Sequence, residues 1–433
     1  MGSTVITIPA DGELARPKNI QDKDERQKFS IFGIISNLTL RVLDQKSKQD
    51  MRKLLHSIKV GVALVLVSLL YLLDPLYEQV GENAMWAIMT VIVIFEFYAG
   101  ATLSKGLNRG FGTILGGVLG CSAATFAREV GRMGKGNAVI IGSLVFVIGI
   151  SVTYFRLVPS IKKRYDYGVM IFILTFNLVI VSGLRAEKVL ELARNRLSTI
   201  GMGFAVCIFI SLLVFPTWAS DELHDSTAHK FQLLADSIEG CLENYFRLDK
   251  ENIKDDQPRS ISSRCKSVLH SKSKDETLAN FAKWEPWHGK FGLNYPWTKY
   301  LQVGELLREL ATIVISLKGC LQSPRQPSSS LRQSIEEPCE AVGLTLAWSL
   351  REVGENLVKM RRCNRESVIV PKLKSMRLEL SSIVSPSKFG PIENVDGLAI
   401  ASFVFLLAEM VEKVEELARE IEELGELAGF HTK

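Results

Sequence analysis

The chain has 433 residues, 47% of them hydrophobic, and its 52 basic and 47 acidic residues leave a net charge of only +5. The basic residues flank apolar runs and form no aromatic-interleaved patch, which excludes a nucleic-acid partner. Seven cysteines without a CxxC pair and six histidines without HExxH spacing give no metal or cofactor site, and no nucleophile elbow or phosphate loop points to an enzyme.

The mean hydropathy of +0.15 hides a sharp division: residues 54–215 are mostly apolar, and both flanks are polar. Residues 1–50 read as a cytosolic segment, partly disordered or interfacial. The opening MGSTVI lacks both the apolar core of a secretory signal and the Ser or Thr at position six that myristoylation prefers. Phe29–Leu43 is too short to cross a hydrocarbon layer of ~30 Å, so it reads either as an interfacial helix or as part of an unstructured tail.

Six apolar segments follow within residues 51–215: Leu54–Leu73, Ala84–Gly100, Gly106–Phe126, Val139–Tyr154, Gly168–Val181 and Leu197–Phe215. Backbone groups in lipid must bond internally, so these are expected to be transmembrane helices. The fourth and fifth are short, which implies tilt, breaks or earlier starts. Counting Lys and Arg beside the spans gives eleven on the side of the N-terminus and seven on the other. That favours a cytosolic N-terminus, and an even number of spans returns the C-terminus to the same side.

The run Ser104–Gly120 places Lys105 and Arg109 four residues apart ahead of Gly112, Gly116 and Gly120, a small-xxx-small stripe that lets membrane helices approach closely. Arginine keeps its charge at any physiological pH, and its forked donors suit carboxylates, so Arg109 and Arg196 are the leading candidates for an anion pore. Lys105 joins them, and Lys59, in the first turn of the first span, can either snorkel or face the pore. A faint echo of Asn108-Arg109 in Asn195-Arg196 suggests inverted halves, with both arginines at helix N-termini.

Among the acids, Glu96 and Asp166 either pair with nearby cations, as a structural or gating contact, or relay protons. Glu187 and Glu191, four apart, either satisfy neighbouring arginines or sense a hard cation through their oxygens.

Residues 216–433 are polar and large enough for a core of their own, and are expected to form a cytosolic helical domain. Leu233, Ile238, Leu242 and Phe246 mark one amphipathic helix, and residues 300–318, 339–360 and 397–428 supply others. Polar stretches at 251–275, 321–338 and 385–396 read as loops. Leu407, Met410, Val414, Leu417, Ile421, Leu424 and Ala428 form a heptad seam that serves either packing within a bundle or a subunit contact.

Several stretches resemble the plant aluminium-activated malate transporter family, within the wider aromatic acid exporter-like superfamily. They are Ala84-Met85-Trp86-Ala87-Ile88-Met89-Thr90-Val91, Phe95-Glu96-Phe97, Gly100 to Gly110, Tyr165-Asp166-Tyr167-Gly168, Phe172 to Phe176, Arg196 to Thr199 and Trp284-Glu285-Pro286. The resemblance implies a homodimeric anion channel in the lipid bilayer, with six spans per subunit, a cytosolic helical domain, and malate with other organic and inorganic anions as permeant species. It implies pore cations at Lys105, Arg109 and Arg196, with Lys59 as a fourth, and an aluminium site at Glu187 and Glu191. It leaves open whether the membrane is the plasma membrane or the vacuolar membrane. The competing expectation is a proton-coupled exporter of aromatic or other organic acids.

Overall fold

A computed structural model describes residues 50–69, 72–73, 84–131, 137–182, 189–247, 256–292, 294–321, 323, 329–362, 369–383 and 395–431. Among them the regular structure is helical, apart from two isolated bridges, His288 with Phe291 and Arg361 with His431. The chain divides into two compact units, Met1–Val62 and Ala63–Lys433. A helix over residues 50–69 (α1) begins in the first unit.

The apolar part of the second unit contains α2 (Ala84–Ile94), α3 (Ala99–Gly131), α4 (Asn137–Leu157), α5 (Pro159–Ser182) and α6 (Val189–Leu213). Four described helices are long and apolar enough to cross a membrane, over Ala99–Val130, Ala138–Leu157, Arg164–Ser182 and Arg194–Leu213. The segment Met85–Ile94 is apolar but shorter.

The expected span Ala84–Gly100 does not form one helix, because the chain breaks between Ile94 and Ala99. The Thr102 hydroxyl accepts the Glu96 backbone N–H at 3.0 Å, and the Ala99 N–H is donated to the Thr217 carbonyl at 3.0 Å. With those donors satisfied, α3 starts seven residues earlier than the expected Gly106, so Lys105 lies inside the helix and Arg109 lies deeper in it than expected. The fourth and fifth helices are likewise longer than their apolar cores. Only Val158 separates α4 from α5, and Pro159 opens α5, where its missing N–H costs nothing.

The glycine stripe faces α5. A methyl group at Gly116 would lie 2.7 Å from the Phe172 carbonyl and 3.0 Å from the Thr175 Cβ. One at Gly120 would meet the Val179 Cβ at 2.9 Å, and one at Gly112 would collide with the Gly168 carbonyl. The three glycines thus allow two backbones to touch, the close approach that membrane helices use where no hydrophobic force drives them together.

The polar half of the chain is a helical bundle: α7 (Ala219–Arg247), α8 (Asp256–Leu269), α9 (Lys272–Ala282), α10 (Trp297–Leu321), α11 (Ser329–Val358), α12 (Val370–Ile383) and α13 (Val395–Ala428). One core joins them, with Phe231, Leu234 and Ile238 of α7 buried with Leu310 and Val314 of α10, Leu346 and Leu350 of α11, and Met410 and Val414 of α13. The Tyr245 and Phe403 rings stack at 4.3 Å. From Leu407 to Leu424 the heptad seam of α13 is buried in this core, the bundle-packing alternative.

Two expected loops contain helix. In α8, Ile261, Cys265 and Val268 are spaced four and three apart, and they bury a narrow stripe that the surrounding polar residues concealed. The other, α11, begins at Ser329 and runs through Pro338.

Candidate functional site

Between α2, α3, α5 and α6 lies a cavity of about 500 Å³. Its walls are mainly apolar, from Ile114, Val118, Ile171, Leu174, Val179 and Ile200, with Thr113, Ser122 and Thr175 among them. Three cations also line it: Arg109 from α3, and Arg194 and Arg196 from α6.

Arg109 is only 6% exposed. Its Nη1 donates to the Tyr167 hydroxyl of α5 at 3.1 Å, while its buried Nε has no hydrogen-bond partner among the described residues. The Arg196 guanidinium lies over the Trp86 ring of α2, 4.5 Å from its centroid, and its buried Nε is likewise unmatched. Neither arginine has a carboxylate partner among the described residues. An unneutralised guanidinium in an apolar wall is costly unless water or an anion meets it, which makes these two arginines the cavity's candidate contacts for negative charge.

The other sequence candidates are placed differently. Lys105, one turn before Arg109, forms an ion pair with Glu96. Asp166 accepts two bonds from Arg156, at 2.6 Å from Nε and 3.0 Å from Nη2. Lys59 lies on α1 in the first unit. Glu187 lies outside the described residues, and Glu191 is described only as a backbone position of α6. The described residues contain no cluster of three His, Cys, Asp or Glu side chains able to hold a metal ion. Neither Arg109 nor Arg196 stands at a helix N-terminus, since each lies about two turns or more inside its helix; the expected dipole contribution therefore falls away.

Sequence reasoning met Trp86 and Tyr167 only as members of motifs and gave them no role, since their partners became visible only in three dimensions. It also missed the structural role of Glu285. The Glu285 carboxylate accepts the backbone N–H groups of Ala219 at 2.6 Å and Ser220 at 3.2 Å, the first two residues of α7. His288 bonds Ser220 Oγ at 2.9 Å and the Pro286 carbonyl at 2.7 Å, and it stacks on Trp218 at 3.7 Å. A methyl group at Gly100, in the first turn of α3, would meet the Glu285 Cγ at 2.8 Å. The loop after α9 therefore joins the bundle to the start of the helix that carries Arg109.

Three of the four helices around the cavity, α3, α5 and α6, are long and apolar enough to cross a membrane, which fits an all-α membrane protein. The chain belongs to the aluminium activated malate transporter family, whose family model matches residues 45–389. It is 43% identical over 378 residues to aluminum-activated malate transporter 13 of Arabidopsis thaliana, a match covering 84% of this chain and 69% of that protein. It is 45% identical over 319 residues to transporter 12 of the same plant (74% of this chain, 56% of that protein) and 44% identical over 351 residues to transporter 14 (81% and 63%). The match thus covers less than two thirds of the length of the last two. Membership places the chain among transport proteins, not enzymes.

Proposed function

We propose that this protein is a channel that passes malate and related organic or inorganic anions across a plant membrane, through a passage lined by Arg109 and Arg196. In this reading six helices span the bilayer, the chain works as a homodimer, and residues 216–433 form a cytosolic helical domain with both termini on the cytosolic side. The membrane is the plasma membrane or the vacuolar membrane.

One observation carries the reading. Two arginines on different helices line one cavity, each with a buried, unmatched Nε and no carboxylate partner among the described residues. Permanent positive charge in an apolar wall attracts anions, and a site without a fixed counter-ion also lets them leave. A volume near 500 Å³ falls within the usual range of small-molecule sites. The names of the related plant proteins favour malate as the permeant anion. Glu96 and Asp166, the carboxylates a proton-coupled exporter would use, are held by Lys105 and Arg156, which favours the channel over the exporter.

Voltage clamp of the full-length chain in oocytes tests the reading. The reversal potential is expected to follow the malate gradient and to stay fixed when a proton gradient is imposed. A reversal potential that moves with the proton gradient, or the absence of any malate current, would refute it.

A further inference from the structure

Four cations in the apolar half of the chain divide by partner. Lys105 and Arg156 are matched to carboxylates, Glu96 and Asp166. Arg109 and Arg196 are matched to neutral aromatic groups: the Tyr167 hydroxyl accepts one N–H at 3.1 Å, and the Trp86 ring lies 4.5 Å beneath the other guanidinium. The distinction has a chemical consequence. A carboxylate cancels the guanidinium charge and occupies its donor fork. A phenol oxygen takes a single N–H, and an indole face takes none, because it attracts the cation through its ring quadrupole. Both arginines therefore keep their charge and most of their donor edge.

We infer that Trp86 and Tyr167 are the positioning residues of the anion site. They hold Arg196 and Arg109 against the cavity wall so that the free N–H edges meet the carboxylate groups of a small organic anion. This rests on the anion-pathway reading above and deepens it by naming what fixes the two forks. The partners come from α2 and α5, the arginines from α6 and α3, so each pair ties together two of the helices around the cavity. A planar fork held at a fixed angle recognises a carboxylate through two parallel bonds, whereas a halide needs no such alignment. Loosening the forks should therefore weaken malate binding more than chloride binding.

The test is voltage clamp of the full-length chain, reading the half-saturating malate concentration and the malate-to-chloride permeability ratio at matched surface density. Trp86→Leu should raise the half-saturating concentration by roughly two- to ten-fold, and Trp86→Phe, which keeps a π-face, by less. Tyr167→Phe, which removes only the hydroxyl, should raise it by a similar two- to ten-fold. The permeability ratio should fall in Trp86→Leu and Tyr167→Phe. Should Trp86→Leu fail to reach the surface, tryptophans with successive ring fluorines at position 86 keep the shape and weaken the π-face; malate affinity should fall with each fluorine. Arg109→Ala and Arg196→Ala serve as reference arms. If these change the malate response while Tyr167→Phe and the fluorine series leave it at wild type, the positioning role is overturned and the anion pathway stands. If the two arginine variants also behave as wild type, both readings fall.

Discussion

Glu285 caps the helix that begins at Ala219: its Oε1 accepts the Ala219 backbone N–H at 2.6 Å, from a loop that follows α9. The first N–H groups of a helix have no partner within it, and a carboxylate there also meets the positive end of the helix dipole. The Glu285 side chain is 1% exposed, so water cannot replace it easily. Glu285→Ala should destabilise the protein by about 1–3 kcal/mol, and Glu285→Gln, which keeps one acceptor, by less. Thermal unfolding of the purified full-length protein in detergent measures this; an unchanged midpoint for Glu285→Ala would contradict the assignment.

The glycine stripe gives a second expectation. Gly116→Ala places a methyl group against the Phe172 carbonyl of α5, where the neighbour is backbone and cannot swing aside. Overpacking of this kind costs about 1–3 kcal/mol. Gly142 of α4 has nothing within 4 Å of the same added atom, so Gly142→Ala should not destabilise the protein. Comparing the detergent stability of the two variants checks the α3–α5 contact directly.

A third expectation concerns the buried ion pair of the bundle. Asp275 Oδ2 accepts from Lys230 Nζ at 2.5 Å, Ser271 Oγ at 2.9 Å and Arg308 Nη1 at 3.3 Å, and burial pulls the Lys230 ammonium below its ordinary pKa. Asp275→Asn would leave Lys230 in the core without its counter-charge, while Arg308 keeps Glu305 at 2.6 Å, a loss of about 3–5 kcal/mol. Asp50→Asn, at an exposed pair with Lys53, should cost less than about 1 kcal/mol. Equal effects in a denaturation assay would refute the distinction.

The fourth expectation is a pH dependence. His224 is buried, bonded to the Tyr300 hydroxyl at 2.7 Å, and burial pushes its pKa below the ordinary value of about 6.5. The folded state thus binds a proton less readily than the unfolded state. Its contribution is complete above pH 6.5 and is lost as the pH falls from there through the depressed pKa. His224→Gln should flatten that part of the profile. Melting curves of wild type and variant between pH 7.5 and 5 test it, and parallel curves would exclude His224 as a source of the slope.

Much of this architecture was legible in the sequence because lipid leaves few options. Apolar runs must become helices, and the four-residue glycine spacing marked the face of α3 that touches α5. The break between Ile94 and Ala99 was not legible, since one of the bonds that accompany it runs from the Ala99 N–H to Thr217 on a distant part of the chain. Nor was α8, whose three buried residues stand in a window poorer in apolar residues than any expected helix. The arginines stood out by charge, Arg109 also by the glycine stripe beside it, and both by the motifs that carry the family resemblance. Their aromatic partners did not, because Trp86 in an apolar run and Tyr167 beside Asp166 show no role until a guanidinium is found against them.

The central claim is that Arg109 and Arg196 face the path the anion takes. The most direct measurement is the reversal potential under opposed malate and chloride gradients, for wild type, Arg109→Ala and Arg196→Ala at equal surface density. Each substitution is expected to lower malate selectivity by about ten-fold or more, as loss of a charge-assisted contact worth at least ~1.4 kcal/mol requires. Wild-type conductance and selectivity in both variants would contradict the account.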